Sequence, residues 1–412
     1  MKTIFLTSNS PGEVTTFARP VLSELNRRHP DWNCQICLVP CPYATGAEAK
    51  VISGWSERPK VWTPWQTTKA WWSGLDIGGD GAVIFLGGDP WHALLLKSRF
   101  GIPALAYFPA HSSWERTKLL GGFDAVALGY SQPGTEFSPR TNRVGERIAV
   151  GDLRVDAVNA RLNQVFEMLP NSSVYDRTDS PTLALFPGSR WLHLKASLGV
   201  FLRAAELVAE RVPQLDVIMA GSPFVTPERL ADAARRPFDL GLDSTTARFE
   251  GNELFTERGL KITVHWDNSP EVIAACDFAL SLPGTNTAEL AIAGKPTVVP
   301  LSDKAPVGGG GLLGLLDRMP GLLPGLSRIK RWMKNRKKNR LTYVALPNQL
   351  ADREVMPEFW VRDDLSNLAE ILIDLARDPE RRRRIGEDAQ NVMGPPGASG
   401  RVVDVLESIL NV

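Results

Sequence analysis

In 412 residues there is no apolar run of 18 or more, so nothing is expected to cross a bilayer. The opening Met-Lys-Thr-Ile-Phe-Leu-Thr is apolar for too short a stretch to act as a signal peptide. It reads as a first buried strand, and the expectation is a cytoplasmic protein. Charge of one sign is lacking too: 47 Lys and Arg stand against 46 Asp and Glu, a net charge of +1. That excludes a broad nucleic-acid-attracting field, and no nucleic-acid partner is expected. Cysteine is scarce, with Cys34, Cys37, Cys41 and Cys276 the full set of 4. Cys34-Gln-Ile-Cys37 has a metal-like or redox-like spacing, but it falls in a strand-like run, 33–39. Positions three apart in a strand point to opposite faces. No second pair completes a zinc set, so these read as buried, inert thiols of a reducing compartment. No Asp-x-Asp pair is present either; neither a metal site nor a cofactor is expected.

What is present is the composition of a folded protein, 43% apolar and 23% charged. The length points to two domains. Strand-like runs at 3–7, 34–40, 82–86, 104–108, 125–128 and 147–149 alternate with helical patterns such as 15–28 and 91–100. A polar, turn-rich stretch, 171–181, reads as a linker, and a second alternation follows it. Strands alternating with helices imply parallel sheets covered on both faces. The expectation is therefore α/β, with two doubly wound Rossmann-like domains facing a cleft and C-terminal helices packing back. The boundaries are set at 1–175, 182–375 and a helical tail, 376–412. Residues 238–259 fit neither period and read as a surface insertion.

Several turns carry polar groups suited to chemistry. Leu185-Phe-Pro-Gly-Ser-Arg190 closes a strand and opens a helix, where free backbone N–H groups attract an anion. Gly188 permits close approach, Ser189 can donate a hydrogen bond, and Arg190 can clamp a phosphate. The alternative is a capped turn with a solvated arginine. Ser281-Leu-Pro-Gly-Thr-Asn-Thr-Ala-Glu-Leu290 repeats the pattern, with Gly284 and Thr285 in the turn. Glu289 can accept protons from two ribose hydroxyls, although Asn286-x-x-Glu289 is also a near-capping-box that needs no ligand.

Phe85-Leu-Gly-Gly-Asp-Pro-Trp-His92 ends a strand at the edge where open α/β sheets bind ligands. Asp89 suits a base that deprotonates an acceptor hydroxyl. Asp before Pro is equally a good helix cap. His92 reads as packing or a cap contact, and His111 is the better polar candidate. Ser8-Asn-Ser-Pro-Gly-Glu-Val14 links the first strand to the first helix. Gly12 and Glu13 suit an acceptor-facing loop, or Glu13 simply favours the helix dipole.

Residues 328–340 hold eight basic residues and no acidic one. With Trp332, Met333 and a leucine-rich stretch before them, they suit an anionic membrane surface better than nucleic acid. A plain solvated face is the bland alternative. Trp55, Trp62, Trp65, Trp71 and Trp72 crowd a second region, open to the same surface or to core packing. Ala345-Leu-Pro-Asn-Gln-Leu-Ala-Asp-Arg-Glu-Val-Met-Pro-Glu-Phe359 is polar at chosen points, with Asn348, Arg353 and Glu354 between two prolines. An amphipathic period does not account for that order.

That last segment resembles the Leu-Pro-Asn…Arg-Glu-Val…Pro-Glu stretch of lipid-A-disaccharide synthases. The other pieces follow in family order. Gly88-Asp89 looks like the Gly-x-Asp-x-Pro turn, Gly151-Asp-Leu-Arg-Val-Asp156 is similar to Gly-His-x-x-x-Asp, and Leu185–Arg190 and Pro283–Glu289 look like Leu-Pro-Gly-Ser-Arg and Ser-Gly-Thr-x-x-x-Glu. Ser10–Glu13 matches the family's Gly-Glu-x-Ser-Gly-Asp loop imperfectly. Pro109-Ala-His-Ser-Ser-Trp-Glu stands where the family has Ser-Pro-Ser-Val-Trp-Ala-Trp. The resemblance implies a GT-B fold, a UDP-sugar donor in the C-terminal domain and a glycolipid acceptor in the N-terminal one. It makes Asp89 the base and has Arg190 and Thr285 hold the diphosphate, with Gly188, Ser189 and Gly284 kept as donor-side turn residues and His111 as a second catalytic candidate. Glu289 would hold the ribose, and Asn348, Arg353 and Glu354 would join the donor side. The implied activity is inverting, metal-independent transfer of an acylated N-acetylglucosamine-type sugar, by a peripheral protein on the inner membrane face. A UDP-sugar 2-epimerase and a non-catalytic nucleotide-sugar binder stay open, as does a homodimer.

Overall fold

The computed structural model describes residues 2–41, 44, 46, 48–70, 72, 80–109, 121–130, 146–168, 180–188, 191–222, 225–266, 269–302, 343–361 and 364–412. His111, Ser189, Arg190, Trp71, the basic segment 328–340 and nearly all of the linker lie outside them. The chain forms two units. One comprises Met1–Ala157 with Gly394–Val412, and the other Val158–Met393. The C-terminal stretch is thus shared between them: 376–393 goes with the second unit and 394–412 with the first.

The first unit holds strands β1 (Thr3–Ser8), β2 (Asn33–Leu38), β3 (Lys60–Trp62), β4 (Gly81–Phe85), β5 (Ala104–Phe108), β6 (Ala125–Leu128) and β7 (Glu146–Ala149). They form one parallel sheet in the order β3-β2-β1-β4-β5-β6-β7. Every residue of β1 is buried, as expected for a parallel strand covered on both faces. Ile4 and Leu6 join one core layer with Val402, Val405 and Leu406, while Phe5 joins the opposite layer with Ala93 and Leu96. Cys34 and Cys37 split between the same two layers, so the strand reading of their spacing holds.

The unit's helices begin with one continuous run: a turn α1 (Pro11–Glu13), a π-helical segment Val14–Ala18, and α2 (Arg19–Arg28). Pro20 has no N–H to give to the preceding turn. The helix widens just before it, and the Arg19 N–H reaches Val14 O. Next come α3 (Glu48–Ser53), α4 (Pro64–Ala70) and α5 (Pro90–Phe100), followed by α6 (Leu153–Met168), which carries the chain into the second unit.

The second unit contains α7 (Trp191–Arg211), α8 (Pro227–Arg235), α9 (Ser269–Ala275), α10 (Thr285–Ile292), α11 (Leu346–Ala351), α12 (Ser366–Arg377) and α13 (Pro379–Met393). The final helix, α14 (Ala398–Leu410), returns to the first unit. There Asp156 accepts from Gly397 N, Ser399 N and Ser399 Oγ, each at 2.6 Å, and so caps α14.

The second sheet is ordered β10-β11-β12-β9-β8-β13-β14-β15. Its strands are β8 (Thr182–Phe186), β9 (Asp216–Gly221), β10 (Ala247–Glu250), β11 (Glu253–Thr256), β12 (Lys261–Trp266), β13 (Phe278–Ser281), β14 (Thr297–Leu301) and β15 (Glu358–Trp360). Part of the supposed insertion is therefore regular structure: β10 and β11 pair antiparallel, Glu250 opposite Glu253. The two-residue loop is Gly251-Asn252, with Gly251 at φ 60°, as a tight hairpin turn requires.

Candidate functional site

Each sheet has a point where chain progression reverses, and open α/β sheets bind ligands beyond the strand ends there. In the first unit β1 lies between β2 and β4. In the second, β8 lies between β9 and β13. The turns singled out in the sequence leave the sheets at these two points.

At the first unit's switch point, Leu86 N bonds to Thr7 O, so the β1 and β4 turns emerge side by side. Asp89 is the N-cap of α5, and its Oδ1 accepts from Trp91 N at 3.1 Å, so the cap is formed. Gly88 stands at φ 87°, and a Cβ there would lie 2.8 Å from Asn9 Nδ2. At Gly87 a Cβ would collide with the Glu13 carboxylate. Gly88 is required by its positive φ and by Val39 and Asn9 beside it, and Gly87 by the Glu13 carboxylate.

Burial raises the pKa of Glu13, opposed by the Ser10 N–H and hydroxyl and by the Gly88 N–H. His92 is held below its ordinary value by burial, with the nearby Asp89 charge acting the other way. Gly12 is exposed, and its carbonyl accepts from Thr16 Oγ1 at 2.6 Å. The sequence reading put weight on Asp89 and passed over Asn9. The signal for Asn9 was its place beside Ser10-Pro-Gly-Glu13, in the first residue after a buried strand.

In the second unit β8 and β13 run in register, with Phe186 opposite Ser281, and Leu282 N bonds to Phe186 O at 3.1 Å. Gly188 stands at φ 102°, and a Cβ there would meet Leu282 Cδ1 at 3.2 Å. The Gly188 and Gly284 turns are therefore neighbours. Gly284 is the N-cap of α10 and Thr285 its exposed first residue, while Thr287 Oγ1 donates to Gly284 O. Because the helix starts at Thr285, Glu289 lies too deep for the capping box that Asn286-x-x-Glu289 suggested. Glu289 is instead buried, and its Oε1 takes Arg161 Nη2 at 2.8 Å.

The segment 345–359, expected on the donor side, is held together by its own hydrogen bonds. Asn348 is fully buried: its Oδ1 accepts from Val355 N and Met356 N, and its Nδ2 donates to Met356 O and Glu358 Oε1. Glu358 also accepts from Val344 N and Ala345 N. These groups tie the start of α11 to the start of β15, leaving Asn348 nothing to offer a ligand. Arg353 makes a two-pronged pair with Asp388 at the surface, at 2.7 and 2.6 Å. Glu354 lines an open depression of about 530 Å³ with Arg381, Arg384 and Asp388. This lies at the N-terminal edge of β15, whereas the Gly188 and Gly284 turns leave C-terminal edges. Asn348 and Arg353 thus spend their polar groups on this segment and on Asp388, an engagement that motif order along the chain does not reveal.

Of the tryptophan group, Trp55 and Trp62 are buried in the core, and Trp65 and Trp72 are exposed. Among the described residues no helix is long and apolar enough to cross a membrane.

Comparison with known proteins agrees with the motifs. The chain is 31% identical over 222 residues to the lipid-A-disaccharide synthase of Pseudomonas putida strain KT2440, an alignment covering 52% of this chain and 47% of the relative. The chain thus matches about half the length of the curated relatives. No family model matches it. Among solved structures, MurG from Acinetobacter baumannii aligns over 99% of both chains with a TM-score of 0.55 and 15% identity. UDP-GlcNAc 2-epimerase from Neisseria meningitidis, bound to UDP-GlcNAc, aligns over 98% of this chain and 99% of its own with a TM-score of 0.56 and 14% identity. The fold is of the GT-B type. At such identity the structural likeness carries the fold and nothing finer.

Proposed function

We propose that this protein is a UDP-sugar glycosyltransferase that passes a sugar to a glycolipid acceptor, as a relative of the lipid-A-disaccharide synthases. One observation carries the reading: motifs shared with those enzymes fall at the switch points of both sheets. The Gly188 and Gly284 turns form a cradle for the donor's diphosphate, with Thr285 and Arg190 as its polar groups. Helix N-termini and an arginine stabilise the charge that develops on departing UDP. Glu289 is the ribose partner. Transfer is inverting, because one acceptor hydroxyl displaces UDP directly, and the sugar is of the acylated N-acetylglucosamine type. Exposed Trp65 and Trp72, together with the basic run 328–340, support a peripheral seat on an anionic membrane.

The deciding assay measures UDP release from UDP-N-acetylglucosamine, plain and acylated, with and without vesicles of total lipid extract. Lipid-dependent UDP release with a new glycolipid is the expected result. Conversion of the donor to its 2-epimer without lipid would identify an epimerase, an activity that the shared fold also accommodates. UDP binding with no turnover on any lipid would identify a binder only.

A further inference from the structure

The end of β1 carries more unmatched polar chemistry than a cap and a turn require. Thr7, Ser8 and Asn9 are 0, 0 and 6% exposed, and Thr7 Oγ1, Ser8 Oγ and Asn9 Oδ1 have no hydrogen-bond partner among the described residues. Glu13 Oε2 is enclosed in the same way, against Gly87. Buried polar atoms are normally paired, and leaving one unmet costs about 1–3 kcal/mol. Two of these atoms, Asn9 Oδ1 and Glu13 Oε2, are pure acceptors, Glu13 Oε2 lying against Gly87 and the Asn9 side chain turning its Nδ2 to Gly88. Their complement is a ligand that brings hydrogen-bond donors and no negative charge, which describes the hydroxyl face of a sugar and excludes a phosphate. Asp89, the neighbouring carboxylate, already spends Oδ1 on the α5 cap.

We propose that Asn9 and Glu13 form the subsite for the acceptor's reacting hydroxyl, Asn9 holding it and Glu13 taking its proton; this rests on the glycosyltransferase reading above. As the acceptor oxygen's lone pair bonds to the donor's anomeric carbon, the bond from that carbon to the phosphate oxygen breaks. Its electron pair leaves with UDP, and the hydroxyl proton moves to the Glu13 carboxylate, which later releases it to water. Burial makes a carboxylate the stronger base, and at Glu13 it outweighs the hydrogen bonds from Ser10 and Gly88. Asp89 and His92 are the titratable groups on the neighbouring turn, and burial disfavours the charged form of His92.

The test compares wild type with Glu13→Gln and Asn9→Ala, using UDP release from plain and acylated UDP-N-acetylglucosamine in the presence of total-lipid vesicles. Glu13→Gln is expected to lower kcat by about 100- to 10,000-fold, the range of a lost general base, with UDP affinity unchanged. In wild type kcat/KM falls on the acid side with a midpoint raised from the ordinary glutamate value, and the variant lacks that limb. Asn9→Ala is expected to raise KM for the lipid more than it lowers kcat. Gly87→Ala, which displaces the carboxylate while leaving it in place chemically, should lower kcat as well. Glu13→Gln within threefold of wild type, or retention of the acid limb, overturns the proposal. A wild type that binds UDP but never transfers to lipid overturns the glycosyltransferase reading itself, and the inference with it.

Discussion

Arg161 Nη2 lies 2.8 Å from Glu289 Oε1, joining helix α6 to helix α10 within the second unit. The carboxylate is nearly enclosed, at 9% side-chain exposure against 26% for the guanidinium. In a partly dry site such a pair resists removal of either member, because the survivor is left charged without its partner. Glu289 is thereby held in one orientation, as a group that must meet two ribose hydroxyls would need to be.

Glu289→Gln should weaken UDP binding by about 1.5–3 kcal/mol for each charged hydrogen bond lost, measured by calorimetry. A double-mutant cycle with Arg161→Met should return a stability coupling of roughly 0.5–3 kcal/mol in urea unfolding. Unchanged UDP affinity alongside a clear coupling would make the pair structural only.

Asp89 separates cap from base. Asp89→Asn keeps an oxygen for Trp91 N, whereas Asp89→Ala loses the cap and about 0.5–2 kcal/mol of stability. In steady-state assays Asp89→Asn should cost less turnover than Glu13→Gln. The reverse ranking would return the base role to Asp89.

Glu13 should mark the pH dependence of stability. Its folded pKa is raised by burial, so the folded state favours the protonated form. Its contribution is fully present below the unfolded value of 4.5 and is lost as pH rises through the raised folded value. Glu13→Gln should therefore raise Tm at pH 7 relative to wild type and gain little at pH 4. An equal change at both values in a calorimetric scan would count against a desolvated carboxylate.

Asn348→Ala strands the N–H groups of Val355 and Met356. A loss of at least about 2 kcal/mol is expected, from roughly 1 kcal/mol or more per stranded buried donor. UDP affinity of the folded variant should be unchanged. A UDP defect without a stability defect in matched melts would restore this residue to the donor site.

Thiol titration offers a simpler check. Burial pushes Cys34 up to about 12 and Cys276 to about 11, and moves Cys37 the same way. None of the three should react with Ellman's reagent at pH 8 in the native protein, and all should react in denaturant. Rapid native labelling of any of them would place it nearer the surface than the fold does.

Much of this protein was legible from one-dimensional order. Period-two burial and fully apolar strands such as Ile4-Phe-Leu6 announce a two-sided parallel sheet, because only a strand covered on both faces is apolar throughout. The turn at Gly188 could be recognised because a strand-to-helix turn in the left-handed region, here at φ 102°, favours that residue type. The hairpin at Gly251-Asn252 was legible too, yet its short, half-polar strands hid in a longer irregular stretch. What tertiary structure alone decided was partnership. Asn348 and Arg353 look like ligand groups in a string, and become a buried staple and a surface ion pair once Met356, Glu358 and Asp388 are beside them. Glu289 looks like a capping residue until α10 is seen to start at Thr285 and Arg161 to reach it. Asn9 and Glu13 carry no signal of shared purpose until β4 places Gly87 and Gly88 against both. Local backbone preference acts over a few residues and is written in their order. Hydrogen bonds and desolvation depend on atoms brought together from distant positions, and only the packed sheets supply those.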